Sequence, residues 1–513
     1  MAGPRDDDDT RPVTGGPVAE IAPTDAAADL DALWDTVPRV FPRELRPTPR
    51  RELLRRAGEI TRVASRNFAP LAARSALRRR VRPDAYARPL RRTFEELGAT
   101  FMKFGQLVGS SPGVFGETVA AEFRSCLDTG TPVPFDEVRR IVEADLGMPL
   151  DEAFWSFSET PIGRASISVV HKATTRDGRR VAVKVLRPGI EERVATDLDL
   201  FQPLLDVIAR QTGEYAAGQL LSMFQGFRVQ IGEELDLRNE ARAMQHYRRL
   251  LGQVDLPRVT VPEVVAELSG PRVLTMEFLD GVAVDDLTTV AGYGYDPGPV
   301  VQEVIKGFLL TAVRWGTFHG DVHAGNLLLL PDGRIGVIDW GIVGRLDPET
   351  HRFFRLMIEA ALGNEAAWPD IAALTVRMYG PVFSEQLGMD HEQVEMFMRM
   401  AIEPVLTRPF GEVSLADLLT APQRKIAEMR GLEANELTLR AIYRRFREQR
   451  QVRAALDAHG VMDSDFDRSV FLLSKQLVYF ERYGKIFLKD VSLFEDAAFF
   501  RAALDAPTTA APR

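Results

Sequence analysis

The chain is predicted to be an α+β protein with two lobes, a small one built on an antiparallel sheet and a larger, mainly helical one, preceded by further helices. Three observations lead there. Val181-Ala182-Val183-Lys184-Val185 is a short β-branched run bounded by Asp177-Gly178 and Pro188-Gly189, and Arg272 to Asp280 contains a second strand pattern running into a connector. Leu327 to Leu330 and Ile335 to Ile338 are apolar runs around the turn Pro331-Asp332-Gly333, the pattern of a hairpin. Long intervening stretches, among them Ile190 to Gln211 and Leu220 to Leu251, carry helical patterning.

In chain order, residues 1–30 are rich in Asp, Pro, Gly and Ala with few aromatics, and are read as a disordered tail. Residues 31–95 form a basic helical extension: arginine recurs from Arg50 to Arg92 with few acids, although the whole protein carries a formal charge of −9. Leu53, Leu54, Ile60, Val63, Leu71, Leu77 and Val81 interleave with those arginines at roughly helical spacing. The favoured reading is helices packed on a core with arginine stems covering apolar surface; the other is an amphipathic element lying on anionic lipid headgroups. No nucleic-acid-binding module accompanies the charge, and no nucleic-acid partner is expected.

Residues 96–160 are expected to be helical, with Pro132-Val133-Pro134-Phe135 as a break before a helix from Asp136 to Leu146. Residues 161–285 make the smaller lobe and 286–505 the larger, where Phe353, Phe354, Met357, Met396, Phe397 and Met400 are assigned to the core. Residues 506–513 are a second disordered tail. A chain of 513 residues, 45% apolar, can bury a substantial core. One cysteine, Cys126, excludes an intramolecular disulfide framework and suits a reducing cytoplasm. MAGPRDDDDT lacks a signal-peptide core, no run reaches the ~18 apolar residues of a membrane span, and Phe480 to Lys489 is interrupted by charge. The expectation is a cytoplasmic protein, peripheral to a membrane at most, with no transmembrane helix and no signal peptide.

The chemistry concentrates in His319-Gly320-Asp321-Val322-His323-Ala324-Gly325-Asn326 and Ile338-Asp339-Trp340-Gly341. A transferring phosphoryl group needs positioning and charge neutralisation more than covalent help. Asp339 and Asn326 are hard oxygen donors of the kind magnesium takes beside substrate phosphates, and Asp321 would face an acceptor hydroxyl or water. His319 and His323 are assigned to hydrogen bonding within the loop. Lys184, inside an apolar strand, is costly to bury unless an anion meets it; a solvent-facing edge-strand lysine is the alternative. Glu233-Glu234-Leu235-Asp236-Leu237-Arg238-Asn239-Glu240 is richer in acid than a helix needs, and on one continuous helix Asp236 and Glu240 would share a face and call for a cation. Lys184, a metal, or Arg238 and Arg242 could supply it. The backbone of Glu277, Phe278 and Leu279 could bond an adenine edge.

Strand lysine, helix glutamate, HGDxHxGN and IDWG in this order resemble the protein-kinase-like superfamily. Lys103-Phe104-Gly105-Gln106, matching a KxGQ signature, and Glu234-Leu235-Asp236, matching ExD, narrow the resemblance to the UbiB (AarF/ADCK) atypical kinase-like family over roughly residues 90–500. That resemblance implies a two-lobed protein-kinase-like fold in which Lys184 pairs with Glu240 and touches ATP phosphates, Asp321 is the catalytic-loop aspartate, and Asn326 and Asp339 hold Mg2+. It implies further that Lys103 and Gln106 sit on an N-terminal helical extension contacting the acids Glu234 and Asp236, and that the activity is ATP hydrolysis or small-molecule phosphorylation associated with isoprenoid-quinone lipids. The family's alanine-rich nucleotide loop corresponds to Gly163-Arg164-Ala165-Ser166 and the residues up to His171. Here Arg164, Ser168 and Val169 replace smaller or amide-bearing residues, and Arg164 reads either as a phosphate clamp or as a group crowding the phosphates. Val322 and Ala324 stand where prolines are common. Two other readings are an aminoglycoside- or choline-kinase-type phosphotransferase, which has no KxGQ or ExD elements, and a catalytically weak nucleotide-binding scaffold.

Overall fold

The computed structural model describes residues 45, 47–76, 83–109, 117–123, 132–212, 214–346, 348–380, 389–412, 464–492 and 494–505. The expected tails at residues 1–30 and 506–513, together with Cys126, Leu77 and Val81, lie outside them. The chain divides into two compact units. One holds the residues up to Gln211 with Met223–Arg242 and Glu263–Phe278; the other holds Thr212–Ser222, Ala243–Pro262 and the chain from Leu279 on.

Among the described residues the first unit opens with the helices α1 (Arg50–Ala76), α2 (Ala87–Leu97), α3 (Ala99–Gly109) and α4 (Glu117–Phe123), followed by α5 (Phe135–Leu146) and the single turn α6 (Leu150–Ala153). Strands β1 (Phe154–Arg164), β2 (Ser168–Thr175) and β3 (Arg180–Leu186) come next, so the helical segment expected to reach residue 160 ends at Ala153. Helix α7 (Ile190–Thr212) follows, then α8 (Glu214–Glu234) and α9 (Leu237–Leu251), each with residues assigned to both units, and β5 (Val273–Glu277) after the short β4 (Val259–Thr260). The sheet order is β1-β2-β3-β5, antiparallel throughout. Gly178, at φ 86°, makes the tight β2–β3 turn. One sheet face is closed by α5: Val138, Ile141 and Val142 pack with Val181, Val183, Val185 and Val273. The alternation of β3 therefore sends Lys184 to the opposite face.

The helical extension is held to α7 and α8 by rings. Phe94 and Phe104 gather Phe101, Phe123, Phe201 and Phe227 at centroid distances of 4.8–6.3 Å. A Cβ on Gly105 would come within 3.0 Å of the Phe123 ring, so a larger residue at this position of KxGQ would have to push that ring aside by a few tenths of an ångström. Helix α1 packs as the favoured reading expects. Arg56 is only 2% exposed, its Nε and Nη2 donate to Asp197 at 2.6 and 3.1 Å, and Nη2 also donates to the Leu97 carbonyl at 2.8 Å. Arg51, Arg55 and Arg62 lie on its outer side with Leu54, which is 75% exposed.

The second unit begins its own secondary structure with β4, β6 (Val282–Ala283), α10 (Leu287–Ala291) and α11 (Gly298–Trp315), whose inner residues are almost all buried. Strands β7 (Thr317–His319), β8 (Leu327–Leu329), β9 (Ile335–Val337) and β10 (Val343–Arg345) form two small sheets, β10-β7 and β4-β9-β8-β6. The β8–β9 hairpin is the expected one, turning at Gly333 with φ 82°. Its further helices among the described residues are α12 (Pro348–Ala361), α13 (Ala367–Gly380), α14 (His391–Thr407), α15 (Ser464–Phe487) and α16 (Ala497–Asp505). Met396 and Met400, expected in the core, are 66% and 55% exposed. The inner stripe of α14 is Val394, Phe397, Met398, Ile402 and Leu406, while Met396 and Met400 lie on its outer side beside Glu392 and the ion-paired Arg399 and Glu403. Among the described residues, no helix is long and apolar enough to cross a membrane.

Breaking the buried Arg56–Asp197 pair should cost far more than replacing both partners. Asp197→Asn is expected to lose about 3–5 kcal/mol of stability, and an Arg56→Met/Asp197→Leu double variant to recover most of it, as read from urea unfolding midpoints.

Candidate functional site

Lys184 sits in the middle of β3, opposite Val170 on β2 and Leu274 on β5. The strand is paired on both sides, so the edge-strand alternative is excluded. Its ammonium is 7% exposed as a residue and lies 2.9 and 2.8 Å from the two Glu240 carboxylate oxygens. Glu240 is delivered by the first turn of α9, where the helix dipole also favours a carboxylate.

The single helix expected over Leu220–Leu251 is two helices. It breaks at Leu235-Asp236, where Asp236 Oδ1 accepts from the Arg238 amide at 3.1 Å and caps the new helix. The Leu237 amide donates to the Pro271 carbonyl, and Asn239 Nδ2 donates to the Glu233 carbonyl, both at 2.9 Å. Asp236 therefore precedes α9 and does not share a helix face with Glu240 as expected. Its cation is Arg238, at 2.9 and 2.7 Å. Glu234, at the end of α8, pairs with Lys103 from α3 at 2.8 Å. Gln106 lies one turn after Lys103 on the same half-buried side of α3, and Glu233 is buried beside Glu234. Each of Glu234, Asp236 and Glu240 thus has its own cation, and burial lowers the tendency of the neighbouring Arg242 to stay charged.

Gly163 and Arg164 end β1, and the turn to β2 is tight: the Ala165 amide donates to the Ser168 carbonyl at 3.0 Å. Ser166, Ile167 and Ser168 are buried while Arg164 is exposed. Arg187, just beyond β3, holds this loop from below, with Nε on the Ala165 carbonyl and its amide on the Ile167 carbonyl, both at 2.9 Å. Sequence reasoning passed over Arg187, whose only signal was a cation directly after an apolar strand. His171 Nδ1 meets the Ser158 carbonyl at 2.8 Å inside the sheet, and burial pushes its pKa down. On the connector, the Glu277 amide donates to Glu263 and the Phe278 amide to Arg180. Those two N–H groups are therefore committed within the protein. Leu279 follows as the first residue of the second unit.

In the second unit the loop after β7 is bonded to itself. The Asp321 amide donates to His319 Nδ1 at 3.0 Å, Asn326 Nδ2 donates to the Asp321 carbonyl at 2.9 Å, and the Asn326 amide donates to the His323 carbonyl at 2.9 Å. Gly320 donates to the Ile342 carbonyl at 2.8 Å, and a Cβ there would meet Ile342 Cγ2 at 2.6 Å. The Ile338 amide donates to the Asn326 carbonyl at 2.9 Å, which joins this loop to the segment carrying Asp339. Asp339 has φ 59°, the one non-glycine residue in the left-handed region among the described residues. Trp340 next to it is buried, its indole N–H on the Val337 carbonyl and its ring 4.3 Å from Tyr247 and 4.4 Å from His319. Asn326 donates from Nδ2 to the Asp321 carbonyl, and its Oδ1 with the Asp339 carboxylate are hard oxygens of the kind that fit Mg2+ completed by water and phosphate. Among the described residues, no group of three or more His, Cys, Asp or Glu is placed to hold a metal by itself.

His319 is fully buried, and burial pushes its pKa down to about 4 against the partial opposition of Asp321 and Asp339. His246 is pushed down to about 4 by burial and by Arg249 and Arg345. Both rings are neutral in the folded chain near neutrality, whereas the unfolded chain takes up protons near pH 6.5. Their contribution is complete above about pH 6.5 and is lost as pH falls toward about 4. Stability in urea should drop by a few kcal/mol across that window, and His246→Gln should remove roughly half of the slope.

Lys184, Glu240, Glu234, Asp236, Lys103 and Gln106 belong to the first unit, and Asp321, Asn326 and Asp339 to the second. Residues 126–368 match the model of the ABC1 atypical kinase-like domain. An uncharacterized aarF domain-containing protein kinase, chloroplastic, from Arabidopsis thaliana is 32% identical over 79% of this chain and 73% of its own. An uncharacterized protein of Mycobacterium tuberculosis is 33% identical over 83% of this chain and 79% of its own. A probable protein kinase UbiB of Cellvibrio japonicus is 30% identical over 64% and 59%. The α+β architecture is accordingly the two-lobed kinase-like one, and the chain belongs to the ABC1 (aarF/UbiB) atypical kinase-like family.

Proposed function

We propose that the chain is a magnesium-dependent, ATP-using atypical kinase or ATPase of the UbiB type. The observation that carries this reading is the buried Lys184–Glu240 pair on a paired central strand. An ammonium placed there and oriented by a carboxylate is suited to meet polyphosphate oxygens, and it contributes little to stability that an apolar pair would not. Asp321 would accept a proton from the acceptor hydroxyl or water, its direction set by the His319 and Asn326 bonds. Asn326 Oδ1 and Asp339 would hold Mg2+, which supplies charge neutralisation on the phosphate oxygens. Gly163 to Ser166 would border the phosphates, with the exposed Arg164 as a clamp, and the connector Glu277 to Leu279 would border the base.

The Lys103–Glu234 ion pair favours this reading over an aminoglycoside- or choline-kinase-type phosphotransferase, whose pattern lacks both elements. A prenyl-lipid or quinone-like acceptor, and contact of the outer arginines of α1 with an anionic membrane surface, complete the proposal. The test is ATP turnover by the full chain with and without Mg2+ and with and without anionic liposomes. Wild type should turn over ATP only with Mg2+. Asp339→Asn should lose at least about a hundredfold in kcat while keeping its unfolding midpoint. Lys184→Met should lose turnover too, with Glu240 left uncompensated and the midpoint lowered. Tight nucleotide binding without turnover would replace the enzyme by a scaffold, and unchanged turnover in Asp339→Asn would remove the metal assignment.

A further inference from the structure

The loop holding Asp321 is braced mostly by its own neighbours, but one bond enters from far away in sequence. The Tyr483 hydroxyl, on α15, donates to the Val322 carbonyl at 2.7 Å across 161 residues. We propose that Tyr483 is a positioning residue for Asp321, fixing the peptide plane that follows Val322 so that the carboxylate keeps one direction. For its catalytic consequence this rests on the phosphoryl-transfer reading above; its structural half does not.

The geometry supports more than a buried phenol finding an acceptor. Asp321 is fixed on its amide side by His319 and on its carbonyl side by Asn326. Those two bonds fix the peptides on either side of Asp321, while the peptide after Val322 has its carbonyl taken by Tyr483. Val322 itself is fully buried, so side-chain packing and carbonyl bond hold the same residue. Tyr483 is 1% exposed, and burial raises its pKa well above the usual phenol range, so it remains a donor at every working pH. Its ring is stacked on Tyr479 at 6.5 Å and 16°. The same helix reaches the loop by a second route: Phe480 lies 5.3 Å from Phe308, which lies 5.8 Å edge-on to His319. Gly484, one residue beyond Tyr483, lies so close against Phe410 that a Cβ could not fit without displacing the ring. The helix therefore has little room to slide, and the hydroxyl arrives at a defined height over the loop.

Tyr483→Phe removes the hydroxyl and keeps the ring. In the full-length protein, hydrogen exchange followed by mass spectrometry should show the amides of residues 320–326 exchanging about tenfold faster, with α11 and the β8–β9 hairpin unchanged. The kcat of magnesium-dependent ATP turnover should fall about tenfold with KM for ATP within about twofold. Exchange at 320–326 identical to wild type overturns the proposal, as does acceleration spread evenly through the unit, which marks a bond that is only structural. Faster loop exchange with unchanged kcat overturns it as well. If wild type itself turns over no ATP, the functional reading fails, and the exchange comparison alone still decides whether Tyr483 holds the loop.

Discussion

An ammonium buried on the central strand of an antiparallel sheet must be met by a carboxylate, and the first unit is arranged around that demand. With β3 paired on both edges, Lys184 has no route to solvent along the sheet, and the face it points to must bring the counter-charge. A continuous helix would have to carry Glu240 there in register with everything before it. The break at Leu235-Asp236 releases that constraint, because α9 starts afresh with its own cap and its own tie to Pro271. The pair is not an economical source of stability, since desolvating two ions offsets most of their attraction. Its effect is to fix one position for one cation.

The same accounting applies to the acids on either side of the break. Glu234, Asp236 and Glu240 are all at least nine-tenths buried, and carboxylates so placed need partners. They receive them from three different elements: Lys103 on α3, Arg238 on α9 and Lys184 on β3. The phenylalanine cluster supplies the apolar burial that holds α3 to α7 and α8, while the Lys103–Glu234 bond fixes which residue of α3 faces the acids. The rings and the ion pair act on different quantities, affinity and register.

Much of this was legible in the residues, and the misses share a cause. Strand β3, the β8–β9 hairpin and the loop after His319 are local patterns, and local patterns survive folding when no tertiary contact opposes them. The break between α8 and α9 falls three residues after Gly232, with no proline in the segment to fix its place; its position is set by the Asp236 cap and by the bond from Leu237 to Pro271, the second of which is a tertiary fact. Met396 and Met400 are exposed where the core was expected: apolar spacing gives a period and not a direction, and α14 carries methionines on its outer side as well as on its inner stripe. Arg187 and Tyr483 were invisible because a side chain bonding a distant carbonyl has no sequence period at all. The left-handed turn at Asp339 belongs with these. Aspartate tolerates that region better than most residues, yet it still costs of order 1 kcal/mol or more, and it persists because Trp340 is locked beneath and Ile338 is bonded to Asn326.

Arg164 shows how a distant support changes the meaning of a local substitution. In a loop whose shape came from glycine flexibility, a bulky cation would alter the shape. Here the shape is set by the Ala165–Ser168 bond and by Arg187 beneath it, neither of which involves the Arg164 side chain. That side chain is exposed, so the fold of the loop does not depend on it. The loop also commits the Ala165 amide to the Ser168 carbonyl, one donor fewer for an anion than an open glycine-rich turn would present. Under the proposed reading, an anion at this turn would be met chiefly by side chains, and a guanidinium at its rim is the group whose geometry suits phosphate oxygens.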